Sequence, residues 1–389
     1  MLISGKPEIR PPSPTRRLQI QPSMPASVTQ TLRRTIETLL IGGTGGILFN
    51  LAKFPAGWIA GSMICCAAAA LAGRPLGLPH NLARAFYIVL GMSIGAVATP
   101  QTVLGMASWP LSIAAVTAAM AAVTLGTVVY LKRVHGWDTL TAVFAGTPGG
   151  LSQVMVLAAE HGLELRGIAI VQSMRVVILA VCVPAGLGLA GLAGPTRLPV
   201  GTVAIMDAPW ELVILIGLSV TVAVALLRAG FPGGLIFGPM VVSGVLHGGG
   251  YIHVTFPPWF ASIAMVALGS VAGSRFTGTP LRLMASYRGA AIGSFFVAVV
   301  IAAAFALGVT LLLSLHVGDV VVAYAPGSID AMMILALALH LDPVFVGAHH
   351  LARVFTVTLA LPVIVRTLAP AKRTKSGRPL RSSGDGFAE

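Results

Sequence analysis

The sequence predicts an all-α polytopic membrane protein made of two homologous repeats. Each repeat holds about five spanning helices plus one broken helix, inverted relative to the other, for roughly 10–12 membrane segments in all. Three observations lead there. Hydrophobic residues make up 56% of the 389 and charged residues only 10%, against about 25% charged in ordinary soluble domains. One apolar element with a Pro-Gly interruption and a following arginine is written twice. The basic residues alternate between loops in opposite phase in the two halves.

The duplicated element runs from Ala145 to Pro184 as AGTPGGLSQVMVLAAEHGLELRGIAIVQSMRVVILAVCVP. It returns as APGSIDAMMILALALHLDPVFVGAHHLARVFTVTLALP, closing at Pro362. Without a gap, Pro148 falls on Pro326, Gly149 on Gly327, Glu164 on Asp342, Arg175 on Arg353 and Pro184 on Pro362. The likeness extends upstream. FPAGWIAGSM from Phe54 matches FPGGLIFGPM from Phe231, and LGMSIGA matches LGSVAGS, with Gly91 on Gly269 and Gly95 on Gly273. The spaced pairs Gly57/Gly61, Gly91/Gly95, Gly234/Gly238 and Gly269/Gly273 are read as places where helix backbones approach closely.

Apolar segments of spanning length lie at 37–53, 55–72, 84–99, 108–131, 167–193, 209–227, 231–247, 258–274, 289–315 and 344–366. Segments 138–160 and 319–340 carry the interruptions. The organisation is a tail at 1–34, one repeat over 35–194, a second over 208–368 and a basic tail at 369–389. Residues 1–34 are rich in Pro and Ser without an apolar stretch, which reads as a disordered cytoplasmic tail and not a signal peptide. Net charge is +13, and of 25 Lys and Arg six lie in residues 1–34 and six between Arg366 and Arg381. Basic tails of this kind set topology and meet anionic lipid. No groove-reading basic module is present, so nucleic acid is not an expected partner.

Loop charge gives the orientation. The first half is basic at Arg74, Arg84, Lys132, Arg133 and Arg166, where the equivalent second-half loops carry no Lys or Arg. The second half is basic at Arg275, Arg282 and Arg288, where the first half reads TPQTVLGMASWP. Cytoplasmic loops carry the Lys and Arg excess, so the halves are expected in opposite orientations, with both termini on the cytoplasmic side of the bacterial inner membrane. Each half then crosses five times, with the broken segment re-entering or offset by another segment that does not cross. Lys53 and Arg197 are isolated exceptions.

The candidate site follows from the breaks. A helix that stops at proline and restarts after glycine points unpaired N–H groups and a positive dipole end into the protein. In lipid those groups need protein, water or a ligand. The first restart offers Pro148, Gly149, Gly150, Ser152 and Gln153; the second offers Pro326, Gly327, Ser328 and Asp330. The alternative is a kink capped by Ser328 or Asp330. Arg175 and Arg353 sit about two turns inside their helices, each costing at least about 3 kcal/mol in a membrane. They are read as an anion-binding or charge-balancing pair, or as arginines that snorkel toward the near surface or pair with carbonyls. Asp330 faces Ser152 in the alignment and His350 faces Gln172, so proton- or ion-coupling chemistry is expected in these unlike pairs. His349 and His350 are adjacent and diverge by about 100° on a helix, so no metal site is expected. Cys65, Cys66 and Cys182 lie in apolar segments and are read as small buried residues. No nucleophile elbow, phosphate loop or catalytic carboxylate pair appears, so neither catalytic residue nor cofactor is expected.

At GTPGGLSQVMVLAAEHGLELRGIAIVQSMRV the chain resembles the AbrB-type integral membrane family of bacteria, over about residues 37–366. That family is unrelated to the small DNA-binding regulators of the same name. The resemblance implies an internal duplication and carries two labels, ammonia monooxygenase and regulator of gene expression. The residues offer no His or Cys set for the copper that an oxygenase would need. The favoured expectation is a secondary transporter or exporter of a small solute or ion, not an enzyme, with the lipid bilayer as partner and a homo-oligomer as one possible assembly. The alternatives are a membrane-embedded regulator acting through a partner and, weakest, a membrane monooxygenase.

Overall fold

The computed structural model describes residues 28–97, 106, 109–148, 151–194 and 208–368, without the side chains of 151–153. Among these residues there are fourteen α-helices. The first half supplies α1 Val28–Leu51, α2 Gly57–Leu71, α3 His80–Ala96, α4 Trp109–His135, α5 Thr139–Gly146, α6 Leu151–Glu160 and α7 Leu165–Leu189. The second supplies α8 Pro209–Arg228, α9 Gly234–Gly248, α10 Pro258–Ser274, α11 Leu281–Leu313, α12 Val317–Tyr324, α13 Ile329–Ala338 and α14 Pro343–Leu368. Five of them (α4, α7, α8, α11 and α14) are long and apolar enough to cross a membrane. They leave large apolar side chains exposed, among them Leu125, Val213, Leu311 and Leu359. Such helices and such an apolar surface are compatible with a multi-pass membrane protein.

α1 begins at Val28, well ahead of the hydropathy onset at 37 and inside the stretch 1–34 read as a disordered tail. Its first turns carry Arg33, Arg34 and Glu37 on exposed or half-buried positions, and Glu37 pairs with Arg74 at 3.2 Å. Hydropathy loses a helix once its outer turns turn polar, although the backbone continues. Of the cysteines, Cys66 is buried, Cys65 half-buried and Cys182 exposed. The reading of all three as buried therefore fails at Cys182, which lies on the apolar outer face of α7.

The helices pack as two groups. α2 and α10, α3 and α9, α1 and α2, and α8 and α9 form one; α4 to α7 and α11 to α14 form the other. Each main pairing has a counterpart with the halves exchanged: α4–α5 with α11–α12, α5–α7 with α12–α14, and α7–α11 with α14–α4. The spaced glycines act as packing surfaces. A Cβ at Gly91 would strike Ile236 O, and one at Gly269 would lie 2.7 Å from Ile59 O. α2 and α9 both start after a residue in the left-handed region, Ala56 at φ 55° and Gly233 at φ 70°.

Contacts sort the loops into two ends. At one end Gly77 N donates to Thr38 Oγ1 at 2.9 Å and Thr277 Oγ1 to Leu76 O at 3.0 Å. At the same end Trp137 stacks edge-on against Tyr287, whose hydroxyl donates to Glu164 at 3.2 Å. Phe276, Met284 and Met174 share one apolar cluster that joins these two sets. At the other end Glu211 accepts from His253 N and Val254 N at 2.7 and 3.0 Å, and Gly194 N donates to Leu339 O at 3.0 Å. Trp137 and Glu164 flank α5 and α6, so this broken segment enters and leaves at the first end. Asp342 N donates to Asp319 Oδ1 at 2.7 Å, so α12 and α13 enter and leave at the second. The two broken segments are hairpins inserted from opposite ends.

Capping residues fix the hairpin bases. Glu164 accepts from Gly167 N and Asp342 from Val344 N and Phe345 N, both at 3.0 Å. Asp342→Ala removes a helix cap and is expected to lower stability by about 1 kcal/mol, read as a lower melting temperature of the detergent-solubilised protein.

Candidate functional site at the hairpin tips

Each hairpin turns because of its proline. Proline has no N–H and pushes the preceding residue to extended backbone. Thr147 before Pro148 has φ −63° and ψ 118°, and Ala325 before Pro326 has φ −55° and ψ 132°. α5 therefore stops at Gly146 and α12 at Tyr324, leaving last-turn carbonyls without helical partners.

Side chains from the next long helix take them up. Arg175 of α7 donates through Nη1 to Gly146 O at 3.2 Å and through Nη2 to Thr147 O at 3.3 Å. Arg353 of α14 donates through Nη1 to Ala325 O at 2.8 Å and through Nη2 to Gly327 O. One turn earlier Gln172 donates to Phe144 O at 2.7 Å, and His350 Nε2 bonds Val322 O at 3.0 Å. Phe144 and Val322 are themselves aligned positions. An amide and an imidazole thus do the same job in the two halves. Both arginines are buried, with Arg353 fully so, and they lie within electrostatic range of each other. Each sits ten residues from the start of its helix, about 15 Å in, so both tips lie well inside the helix bundle.

Of the predicted site residues, Pro148, Pro326 and Gly327 are buried at the tips. Gly149 and Gly150 lie outside the described residues, as do the side chains of Ser152 and Gln153 in the first turn of α6. Ser328 is the N-cap of α13 but makes no side-chain cap bond. Asp330 does not cap its own helix either. It hydrogen-bonds Tyr87 of α3 and faces Arg275, which ties the second hairpin to the other helix group. Tyr87 and Arg275 carry no local sequence signal that would have singled them out.

His349 points away from His350, as the helical geometry requires. Its Nε2 lies 2.7 Å from Ser112 Oγ and its Nδ1 2.8 Å from Phe345 O. Tyr324 donates to Ser112 O at 2.7 Å. The positions aligned with His349, Tyr324 and Ser112 are Val171, Gly146 and Ala290, so this buried polar chain, which joins α4 of the first half to α12 and α14 of the second, is not repeated.

The restart helices differ in burial. Ala331 to Ala336 of α13 are all buried, whereas Val156 of α6 is 62% exposed. A cavity of about 460 Å³ separates α6 from α14 at Val357, Leu361 and Pro362. At the opposite end a cavity of about 420 Å³ lies between the two helix groups, lined by Asn50, Trp58, Ser93, His247 and His340, and reaches Leu337 and Ala338 of α13.

The family model described as "Transition state regulatory protein AbrB" matches residues 58–369. An Escherichia coli (strain K12) protein named "Putative regulator AbrB" is 27% identical over 341 residues, covering 83% of this chain and 94% of the relative. A Bacillus subtilis (strain 168) protein named "Uncharacterized protein YhjN" is 24% identical over 388 residues, covering 91% and 98%. No solved structure matches. With the family model spanning most of the sequence, this chain belongs to the AbrB family.

Proposed function

We propose that this protein is a secondary transporter of a small solute, working by alternating access in the bacterial inner membrane. The observation that carries the reading is the pair of broken helices, each tied back by a buried arginine, with Arg175 and Arg353 within electrostatic range of each other. Broken helices at mid-depth are where transporters place their solute and coupling ion, because only there do backbone groups and half-helix dipoles face a ligand instead of lipid. Counting α1–α4, α7, α8–α11 and α14 gives ten crossings, organised as two inverted repeats in which every element has its opposite-facing counterpart. The end holding Arg74, Arg84, Lys132, Arg133, Arg166, Arg275, Arg282 and Arg288 is the cytoplasmic one, with both chain termini on that side. Unequal burial of α6 and α13 fits one state of a rocking cycle, in which the hairpin-bearing group moves against the group of α1–α3 and α8–α10.

The family description and the Escherichia coli relative's name favour a second reading, a membrane-embedded regulator that affects expression through a partner. Flux decides between them. In proteoliposomes the wild type is expected to move a solute, and Asp330→Asn, which weakens the link from α13 to Tyr87 and Arg275, is expected to cut the rate by roughly tenfold, about 1.4 kcal/mol in barrier. Unchanged flux in Asp330→Asn and Arg353→Ala together with altered transcription in cells would favour the regulator. Absence of flux across anions, amines and amino acids would sink the transport reading.

A further inference from the structure

We infer that the solute is a small oxyanion, of the carboxylate or phosphate type, held between Arg175 and Arg353 at the hairpin tips. This rests on the transport reading and adds the substrate class. Charge carries the argument first. Two guanidinium groups are buried near one another, and the charged neighbour that bears on Arg353 is Arg175, a second cation. The acid nearest in sequence to a tip, Asp330, is engaged by Tyr87 and Arg275. The C-terminal ends of α5 and α12 offset about half a charge each, but the restarting N-terminal ends of α6 and α13 return about the same amount of positive charge at the same depth. The tips therefore keep an excess of positive charge in a low-dielectric interior, where a cationic solute would be repelled and an anion completes the balance.

Hydrogen bonding points the same way. A guanidinium has five N–H donors, and each of these uses one from Nη1 and one from Nη2 on a carbonyl of the tip. Nε of Arg175 and Nε of Arg353 are buried without any partner. Buried donors left open in a native protein call for an explanation, and the planar fork of an arginine matches a carboxylate or phosphate more closely than a spherical halide. Arg175 and Arg353 each reach the end of their own broken helix and lie within electrostatic range of each other, which brings the two open Nε donors into one region.

The test uses the full-length protein in detergent. Its melting temperature is compared in sodium salts of a monocarboxylate, a dicarboxylate, phosphate, sulfate and chloride, and in ammonium chloride, at matched ionic strength. One oxyanion class is expected to raise the melting temperature where chloride and exchange of the cation do not, and the salt that does so separates carboxylate from inorganic oxyanion. Arg175→Lys and Arg353→Lys keep the charge but lose the fork, and are expected to weaken the apparent affinity roughly tenfold. Arg166→Gln at the exposed cytoplasmic end of α7 is expected to leave it unchanged. Stabilisation by no oxyanion beyond chloride, by ammonium alone, or undiminished in both lysine variants overturns the assignment. The wild-type comparison decides alone if a variant does not fold. Anion binding without flux would remove the transport reading and leave this site, whereas flux of a cation would do the reverse.

Discussion

Arg353→Ala is expected to destabilise the protein by about 3 kcal/mol or more, and Arg175→Ala by roughly half as much. Arg353 is fully buried, and its bond to Ala325 O at 2.8 Å is shorter than either bond of Arg175, at 3.2 and 3.3 Å. Its removal strands the carbonyl of Gly327 and leaves that of Ala325 only its bond from Gly327 N at 2.8 Å. A charge-assisted bond of this sort contributes about 1.5–3 kcal/mol, and an orphaned buried acceptor costs about 1–3 kcal/mol more. α13 packs on all sides behind that tip, with Met332 to Leu335 at 2% exposure or less, so the loss cannot be absorbed by local fraying. In the first half α6 is already partly exposed, and the hairpin can yield at smaller cost. The measurement is the melting temperature of both alanine variants beside wild type, with Arg353→Lys expected to recover part of the loss by keeping one donor near the tip. Equal losses at the two positions would show that the difference in burial between the hairpins carries no energetic weight.

The breaks themselves were legible in the sequence because proline acts locally: it removes a donor and dictates the conformation of the residue before it. Pro148 and Pro326 therefore end their helices as read, within a residue or two. The partners of the freed carbonyls were legible only as residue types. Arg175, Gln172, His350 and Arg353 recur at fixed distance from the break, but whether an arginine faces a ligand, a surface or a carbonyl depends on a helix that folds back over the hairpin, and both arginines turn out to hold carbonyls. Asp330 was recognised as unusual while its surroundings were not. Tyr87 lies far upstream on another helix, and Arg275 stands among basic residues whose charge was fully explained by topology. Hydropathy placed most elements to within a few residues and failed at α1, where polar outer turns conceal a continuing helix, and at Cys182, where an apolar setting means lipid instead of core. A periodicity cannot tell those two solvents apart.

Gly95→Ala is expected to cost about 1–3 kcal/mol as an overpacked helix interface, whereas Gly217→Ala is expected to be neutral or slightly stabilising. A Cβ at Gly95 of α3 would meet Met240 O, Ser243 Cβ at 2.6 Å and Gly244 N at 2.8 Å. Two of those three are backbone atoms of α9, so no rotamer change relieves the contact and the helices must separate. Separation also stretches the bond from Ser243 Oγ to Met92 O, now 2.7 Å. A Cβ at Gly217 on α8 would meet nothing within 4 Å, and an alanine there only stiffens the helix. The sharper comparison is Gly273→Ala on α10, whose Cβ would meet Met63 O, Cys66 Cβ at 2.8 Å and Ala67 N at 2.9 Å. These neighbours are the aligned counterparts of those around Gly95, so the two substitutions are expected to cost the same to within about 0.5 kcal/mol and to add when combined, since they lie in separate interfaces. Melting temperatures of the two single variants and the double variant test this directly. Under the proposed transport cycle the group of α2, α3, α9 and α10 would be the frame against which the hairpins move, and close backbone contact through glycine keeps a frame rigid where lipid gives helices no hydrophobic reason to associate. Loosening it should therefore lower flux at temperatures where the protein is still folded, a loss that Gly217→Ala would not produce.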